Sequence, residues 1–146
     1  LEQTFDGLDR ALTRRSADQQ EVLTYQPGQL PPQALTRSNG MLTHYHYEPD
    51  LNYLLTRIER PNEGEASTFS FAAPHGRLTA ARGGLGTLSW DYTPAGTTRA
   101  EHWQHAGDTH TTGWTYSLSG RVQSFIDMRG QVTQCTYDAQ GRLSGQ

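Results

Sequence analysis

Apolar and polar residues alternate with a period of two along most of the chain, and turn-forming residues interrupt the alternation at regular intervals. The stretch Gly130–Tyr137 (GQVTQCTY) shows the pattern well. This period places alternate side chains on opposite faces of a β-strand. Asp138–Gly141 then predicts a turn, because Asp bonds nearby backbone N–H groups and Gly accepts positive φ. Arg142–Ser144 starts a return strand, so the whole stretch predicts a β-hairpin.

The hairpin pattern recurs along the chain in one register. Tyr116–Val122 (YSLSGRV) repeats Tyr137–Leu143 (YDAQGRL) position for position, and Ile126–Val132 lies between them in the same register. Partial copies occur at Phe5–Leu12, Gly40–Tyr47, Phe71–Leu78 and Tyr92–Gly96. The repeat length is about twenty residues, which is typical of arrays built from one supersecondary unit. The pattern predicts that strand exceeds a third of the residues and that helix stays below a tenth.

Matching positions of the copies are expected to have matching environments. Tyr116 and Tyr137 are therefore predicted to be at least half-buried, and Gly120 and Gly141 to lie in tight turns or to have positive φ. The first copy differs from the others, because Asp9 stands where glycine is expected.

The pattern resembles the RHS/YD-repeat family. The signature of that family is Tyr-Asp-x-x-Gly-Arg-Leu, a strand, and then Gly-x-x-Thr-x-x-x-Tyr, and Tyr137–Leu143 matches the first part in full. The match is weak over residues 1–60, moderate over 61–112 and strong over 113–144. The residues that carry the signature are Phe5, Asp6, Arg10, Tyr47, Phe71, Gly76, Arg77, Tyr92, Gly96, Tyr116, Gly120, Arg121, Asp127, Gly130, Tyr137, Asp138, Gly141, Arg142 and Leu143.

The resemblance implies an all-β fold of antiparallel β-hairpin (YD) repeats, a segment of a spiralling β-sheet shell. It also implies that residues 1–146 are a single segment cut from a longer array. Such shells occur in bacterial RHS toxins, in the B/C components of insecticidal toxin complexes and in teneurins. In the bacterial members the shell encloses a toxic C-terminal domain. The expected partners are therefore the remainder of the parent shell and its enclosed toxin domain, and the expected location is secreted or on a bacterial cell surface.

Composition agrees with a thin sheet. Hydrophobic residues make up 34% of the chain and the mean hydropathy is −0.75, which favours burial of one sheet face over a thick core. The net charge is −3 without a block of like sign, so nothing indicates nucleic-acid binding. No apolar run is long enough to predict a membrane span. Cys135 is the single cysteine, which excludes a disulfide framework, and it is expected to be a small buried residue.

The conspicuous polar residues have a structural interpretation. The turn acids Asp6, Asp127 and Asp138 are expected to bond backbone N–H groups. The arginines that follow them in the repeat are expected to pair with a turn Asp or to lie over a neighbouring aromatic ring. No nucleophile elbow, P-loop or dinucleotide fingerprint is present. The sequence therefore predicts no catalytic residue and no cofactor.

His44 and His46 are the weak candidates for a metal site. Separated by one residue on a predicted strand, they place both imidazoles on one face, as a zinc site requires. His102, His105 and His110 are candidate third ligands, but no spacing fixes one. We therefore expect no bound metal.

A carbohydrate- or surface-binding β module is the alternative function. Its candidate residues are the tyrosines and Trp90, Trp103 and Trp114, which would stack on sugars if they lined an exposed groove. Buried between strands, the same residues are cross-strand structural pairs. A small hydrolase that uses Asp and His is a third possibility, although the repeat already accounts for those residues.

Exposed strand edges are the expected route to self-association. Rows of unpaired N–H and C=O groups are templates for another chain. We expect the edge near residues 113–144 to associate with another chain more readily than the other edge, unless the Pro-rich stretch Gln26–Ala34 covers an edge. A clean monomer in sedimentation analysis at micromolar concentration would contradict this expectation.

Overall fold

The structure is a computed structural model that describes residues 2–72 and 75–146. Strands make up 59% of the described residues, and these residues contain no α-helix. One turn of 3₁₀-helix covers Pro49–Leu51. The predicted all-β class and the predicted strand and helix contents are thus confirmed.

Fifteen strands are present in the described residues. They are β1 (Glu2–Phe5), β2 (Ala11–Arg15), β3 (Gln20–Thr24), β4 (Ala34–Arg37), β5 (Leu42–Glu48), β6 (Leu54–Arg60), β7 (Glu65–Ala72), β8 (Arg77–Gly83), β9 (Gly86–Tyr92), β10 (Thr98–His105), β11 (Asp108–Tyr116), β12 (Val122–Ile126), β13 (Val132–Gln134), β14 (Thr136–Tyr137) and β15 (Leu143–Gly145). The order of β1 to β13 in the sheet is their order in the chain, and β14 pairs with β15. The chain divides into two compact units, Leu1–Arg77 and Leu78–Gln146.

Burial is shallow in both units. The buried apolar residues are Leu23, Ala34 and Leu35 of the first unit, and no large side chain is fully buried among the described residues. Leu23 on β3 faces Leu35 on β4. Cys135 was predicted to be buried, but it is only partly buried. It lies between β13 and β14, where its N–H donates to the carbonyl of Gln123. A thin apolar layer is what the low mean hydropathy indicates.

The hairpin turns share one hydrogen-bond pattern. The N–H of Asp138 donates to the carbonyl of Arg142, and the N–H of Gly141 donates back to the carbonyl of Asp138. The turns that begin at Thr93, Ser117 and Asp127 repeat both bonds. The fourth turn residue has positive φ, +80° at Gly120, Gly130 and Gly141 and +89° at Gly96. This conformation is why glycine recurs there, and it agrees with the prediction for Gly120 and Gly141.

Asp9 holds the same left-handed conformation without being glycine. Its φ is +58° and its N–H donates to the carbonyl of Asp6. An L-residue with a Cβ is strained there, although a short polar side chain reduces the cost. The first turn therefore keeps the repeat geometry despite the departure from the repeat sequence.

Replacing Asp9 by glycine should stabilise the first unit. We expect Asp9→Gly to raise the free energy of unfolding by about 0.5 kcal/mol, because relief of backbone strain outweighs the extra entropy of the unfolded chain. Urea denaturation measures the change. The control Asp9→Ala should give no such gain, because alanine keeps the Cβ that is strained at positive φ. Equal effects of the two substitutions would contradict the strain at this position.

Candidate functional site: contacts between successive repeats

Each turn acid binds its own turn. Asp6 Oδ1 accepts the backbone N–H groups of Leu8 at 2.8 Å and Arg10 at 3.0 Å, and Asp6 Oδ2 accepts Arg10 Nε at 2.7 Å. Asp138 Oδ1 likewise accepts the N–H of Arg142 at 2.8 Å, and Asp138 Oδ2 accepts Arg142 Nε at 2.8 Å. These carboxylates therefore hold the turn and its arginine together.

Other turns satisfy the same backbone groups in related ways. Asp127 Oδ1 accepts the N–H groups of Arg129 and Gln131, each at 2.9 Å. In the turn without a carboxylate at residues 117–121, Ser117 Oγ accepts the N–H of Arg121 at 3.2 Å. The turn residue is thus an acceptor for backbone N–H groups, whether it is Asp or Ser.

The recurring tyrosines bind the preceding repeat. Five hydroxyl groups each donate to a backbone carbonyl at or near the start of a strand one repeat earlier, a contact that we call a tyrosine rung. The donors, acceptors and distances are Tyr25 to Ala11 at 2.8 Å, Tyr47 to Pro32 at 3.0 Å, Tyr92 to Leu78 at 2.6 Å, Tyr116 to Thr98 at 2.6 Å and Tyr137 to Val122 at 2.9 Å. Tyr116 and Tyr137 are more than half-buried, as predicted.

Burial also changes the pKa of one of these tyrosines. Desolvation raises the pKa of Tyr47, and the nearby Tyr45 and Tyr25 add smaller effects in the same direction. A phenol with a raised pKa remains protonated, so it remains a donor to the carbonyl of Pro32 at neutral pH.

Arginines provide a second contact between repeats. The Cζ of Arg10 lies 4.5 Å from the centre of the Tyr25 ring, and its Nη1 donates to the carbonyl of Gln29 in the turn after Tyr25. The Cζ of Arg121 lies 5.7 Å from the centre of the Tyr137 ring. An arginine of one repeat therefore packs on the tyrosine of the next repeat, in the geometry of a cation–π contact.

Arg121 also packs on the turn that follows Tyr137. A Cβ added to Gly141 would lie 2.0 Å from Arg121 Nη2. The glycine thus serves two purposes, since it allows φ of +80° and leaves room for the guanidinium. The sequence pattern predicted the first purpose and not the second.

Phenylalanine occupies the tyrosine position in two repeats. Phe5 and Phe71 have no hydroxyl, so neither can donate a tyrosine rung. Phe71 is nonetheless more than half-buried. The chain therefore has one internal repeat in which the ring is retained and its hydrogen bond is missing.

The two candidate metal ligands, His44 and His46, lie on β5 opposite Glu59 and Arg57 of β6. His46 Nε2 lies 3.3 Å from Glu59 Oε2, and Arg57 forms an ion pair with the same Glu59. Within residues 2–72 and 75–146, no group of three or more His, Cys, Asp or Glu residues is placed to hold a metal ion. Within the described part of the chain, the geometry therefore offers these two imidazoles no third ligand.

Two of the three tryptophans make structural contacts. Trp90 Nε1 donates to Glu101 Oε1 at 3.1 Å on the neighbouring strand. The Trp114 and Phe125 rings pair across β11 and β12 with their centres 5.7 Å apart. Such pairs are typical of cross-strand stabilisation.

Trp103 is different, because 43% of its surface is exposed. Its ring stacks with the imidazole of His105 at 5.6 Å and with that of His110 at 5.7 Å between centres. His105 Nδ1 in turn lies 2.7 Å from the carbonyl of Leu85. The second unit thus presents one open aromatic surface.

A polar cluster on β9, β10 and β11 was missed by the sequence interpretation. His102 Nδ1 lies 2.9 Å from Thr111 Oγ1, and His102 Nε2 lies 3.3 Å from Asp91 Oδ2. Arg99 Nη2 also lies 3.2 Å from Asp91 Oδ2. The hydrogen bond from His102, followed by that from Arg99, lowers the pKa of Asp91. These residues are brought together by strand pairing, so no local spacing could have indicated them.

The lowered carboxyl pKa values predict loss of stability in acid. Hydrogen bonds from the Arg10 side chain lower the pKa of Asp6, and those from the Arg142 backbone and side chain lower the pKa of Asp138. A depressed folded pKa stabilises the fold above the ordinary value of about 3.9, and this contribution is lost as pH falls through the folded pKa. We expect urea midpoints to decline below about pH 4, and to decline less steeply in Asp6→Asn. Parallel profiles for the two proteins would contradict the assignment.

The chain is an antiparallel β-meander whose turns are joined by tyrosine and arginine contacts one repeat apart. In the described ranges, no helix has the length and hydrophobicity to cross a membrane. No protein-family model and no curated protein matches the sequence.

Solved structures of TcdB2–TccC3 are similar to the chain. It matches the TcdB2–TccC3–Cdc42 structure at a TM-score of 0.72 and 18% identity, over 91% of this chain. The TcdB2–TccC3–TEV and TcdB2–TccC3 structures match at TM-scores of 0.71 and 0.70, each at 17% identity over 93% of this chain. The chain spans 8% of the length of the chains that it matches. The fold is therefore RHS-like.

Proposed function

We propose that the chain is a non-catalytic structural segment of an RHS/YD-repeat β-shell, of the kind that encloses a toxic C-terminal domain. The observation that carries the proposal is the tyrosine rung, which recurs five times between successive repeats. A contact that is repeated along a chain builds an extended wall, because each repeat buries its apolar face on its neighbours. The likeness to TcdB2–TccC3 supports the same interpretation.

The partners follow from this function. They are the remainder of the parent shell and its enclosed toxin domain, and the segment belongs to a secreted or cell-surface bacterial protein. Self-association through exposed strand edges is a further expected contact. β1 supports it, since all four of its residues are exposed.

The turn acids support a non-catalytic role. Asp6 and Asp138 each accept two backbone N–H groups and an arginine side chain. A general acid or base needs a pKa near the working pH. The lowered pKa values of these two carboxyls move them away from it.

A chimaeric shell tests the proposal. The chain replaces the matching stretch of the TcdB2–TccC3 wall, and assembly is followed by size-exclusion chromatography and by protease resistance of an enclosed domain. We expect an assembled, protective shell. A matched chimaera that carries Gly86→Ala should assemble poorly. If the parent chimaera fails to assemble although the chain alone is folded, the proposed function is wrong.

Sugar binding is the second candidate function, and exposed aromatic residues favour it. Trp103 and Tyr53 are each 43% exposed. Tyr53 lines a 540 Å³ cavity together with Gln29, Leu30 and Asn52. An aromatic ring beside amide side chains suits a sugar, because the ring packs on C–H groups and the amides bond hydroxyls.

The backbone at Tyr53 adds to this candidate. Its φ is +57°, which is rare for a bulky residue and often marks a functional position. A glycan array with the parent chain, Tyr53→Ala and Trp103→Ala tests the function, with Trp114→Phe as the matched control. Binding that is lost in Tyr53→Ala or Trp103→Ala, and retained in the control, supports a sugar site. Absence of binding by the parent removes the candidate.

A further inference from the structure

The last turn of the second unit has a backbone carbonyl in the acceptor position of a tyrosine rung, but no tyrosine of the described residues donates to it. We propose that the carbonyl of Leu143 and the guanidinium of Arg142 form a docking site for an extended strand that bears a tyrosine. The ring would lie over Arg142 and its hydroxyl would donate to the carbonyl of Leu143. The inference rests on the proposed function and names the chemistry of the partner.

The position of the acceptor carries the first part of the argument. Thr98 faces Tyr92 across its turn, and Val122 faces Tyr116 in the same way. The carbonyls of Thr98 and Val122 accept the hydroxyl of the next tyrosine along the chain. Leu143 faces Tyr137 across the last turn, so it occupies the same position. No tyrosine rung among residues 2–72 and 75–146 uses the carbonyl of Leu143, because the other rungs end on the carbonyls of Ala11, Pro32 and Leu78.

The exposure of the arginine carries the second part. The Nε atoms of Arg10 and Arg142 donate in the same way to the acid of their own turn, at 2.7 Å and 2.8 Å. The side chain of Arg10 is nevertheless only 16% exposed, whereas that of Arg142 is 77% exposed. The ring of Tyr25 covers Arg10. Arg142 therefore has an open face where Arg10 has the ring of Tyr25, whereas Arg121 remains exposed beside the ring of Tyr137.

Leu143 extends the same surface. Its side chain is 50% exposed, whereas Val122 at the matching position is more than half-buried. The docking site is thus continuous with an interface that the chain already uses between its own repeats. It combines a cation, an apolar side chain and a backbone acceptor.

These three features select the occupant. A phenylalanine satisfies the cation and the apolar side chain but leaves the carbonyl of Leu143 without the hydroxyl. Phe5 of a second copy, which is 53% exposed, is such a ligand. A tyrosine satisfies all three features, as Tyr137 does at Val122 and Arg121. The partner we infer is therefore a further tyrosine-bearing repeat.

An extended chain tests the site. A copy of residues 123–146 is placed directly after Leu143, which sets the copied tyrosine 15 residues beyond Leu143, the separation between Val122 and Tyr137. The rate at which phenylglyoxal modifies Arg142 is followed by peptide mass spectrometry. We expect a lower rate than in the 146-residue chain, because the copied ring would cover one face of the Arg142 guanidinium, which is 77% exposed in the 146-residue chain.

Two variants of the copy separate the contribution of the tyrosine ring from that of its hydroxyl. Tyr137→Ala in the copy should restore rapid modification of Arg142. Tyr137→Phe in the copy should keep the protection but lower the urea midpoint of the extended chain. Equal modification rates in the Tyr and Ala forms would overturn the proposal, whether or not the copy folds.

Self-docking is distinguished in the 146-residue chain. Protection of Arg142 that grows with protein concentration and disappears in Phe5→Ala would replace the tyrosine partner by a second copy of the chain. Failure of the chimaeric shell would overturn the proposed function without affecting this experiment. Loss of protection in the extended chain, with a chimaera that assembles, would overturn the docking site alone.

Discussion

Replacing Gly86 by alanine should lower the free energy of unfolding by about 3 kcal/mol. Gly86 begins β9, and its φ is +129°, a conformation that strains any residue with a Cβ. A Cβ at this position would also lie 2.2 Å from the carbonyl oxygen of Gln104 on β10. A backbone oxygen cannot rotate away as a side chain does, so β9 and β10 would have to move apart. Urea denaturation of the parent and Gly86→Ala measures the loss.

Gly107→Ala is the matched control for this substitution. Gly107 lies in the same unit with φ of +94°, and no heavy atom of a described residue other than its two chain neighbours lies within 4 Å of the position that an alanine methyl group would take there. It therefore isolates the backbone strain, which costs about 1 kcal/mol. If the two variants lose equal stability, the close approach of β9 and β10 at Gln104 is not a constraint.

Removing one tyrosine hydroxyl should also destabilise the fold. We expect Tyr116→Phe to lower the free energy of unfolding by about 1–2 kcal/mol, because the carbonyl of Thr98 loses its donor inside a partly buried site. Their hydrogen bond is 2.6 Å long. Tyr53→Phe is the control, with a change below about 0.5 kcal/mol, since Tyr53 is exposed and outside the rung pattern.

Phe71→Tyr tests the same contact in the opposite direction. The new hydroxyl should donate to the carbonyl at the start of β6 and raise the free energy of unfolding by about 0.5–1 kcal/mol. Thermal or urea unfolding of the variant measures the gain. A loss of stability would mean that the site around Phe71 has no room for an oxygen, and that this repeat differs from the others in more than its hydroxyl.

The fold class followed from the sequence because strand periodicity and turn chemistry are local. The turn geometry was predictable even where the sequence departs from the repeat, as the left-handed backbone at Asp9 shows. The tyrosine rungs were not predictable, because their acceptors are backbone carbonyls 14 to 18 residues earlier. A carbonyl carries no residue identity, so no motif marks it.

The sequence also could not predict which aromatic side chains are exposed and which are buried. Their positions depend on which strand face is covered, and β-bulges shift the alternation, as between Thr98 and Ala100. The partners of His46 and His102 depend in the same way on strand pairing. Residues such as Glu59 and Asp91 are distant in sequence and adjacent in the sheet.

The use of backbone carbonyls as acceptors has a consequence for sequence variation. A residue that contributes only its carbonyl can be exchanged without breaking the bond, and Ala11, Pro32, Leu78, Thr98 and Val122 are indeed five different residue types. The contacts between repeats therefore constrain few side chains in each repeat: the ring, the turn acceptor and the turn glycine. The remaining positions can differ in residue type while the fold persists, in keeping with a TM-score of 0.72 at 18% identity.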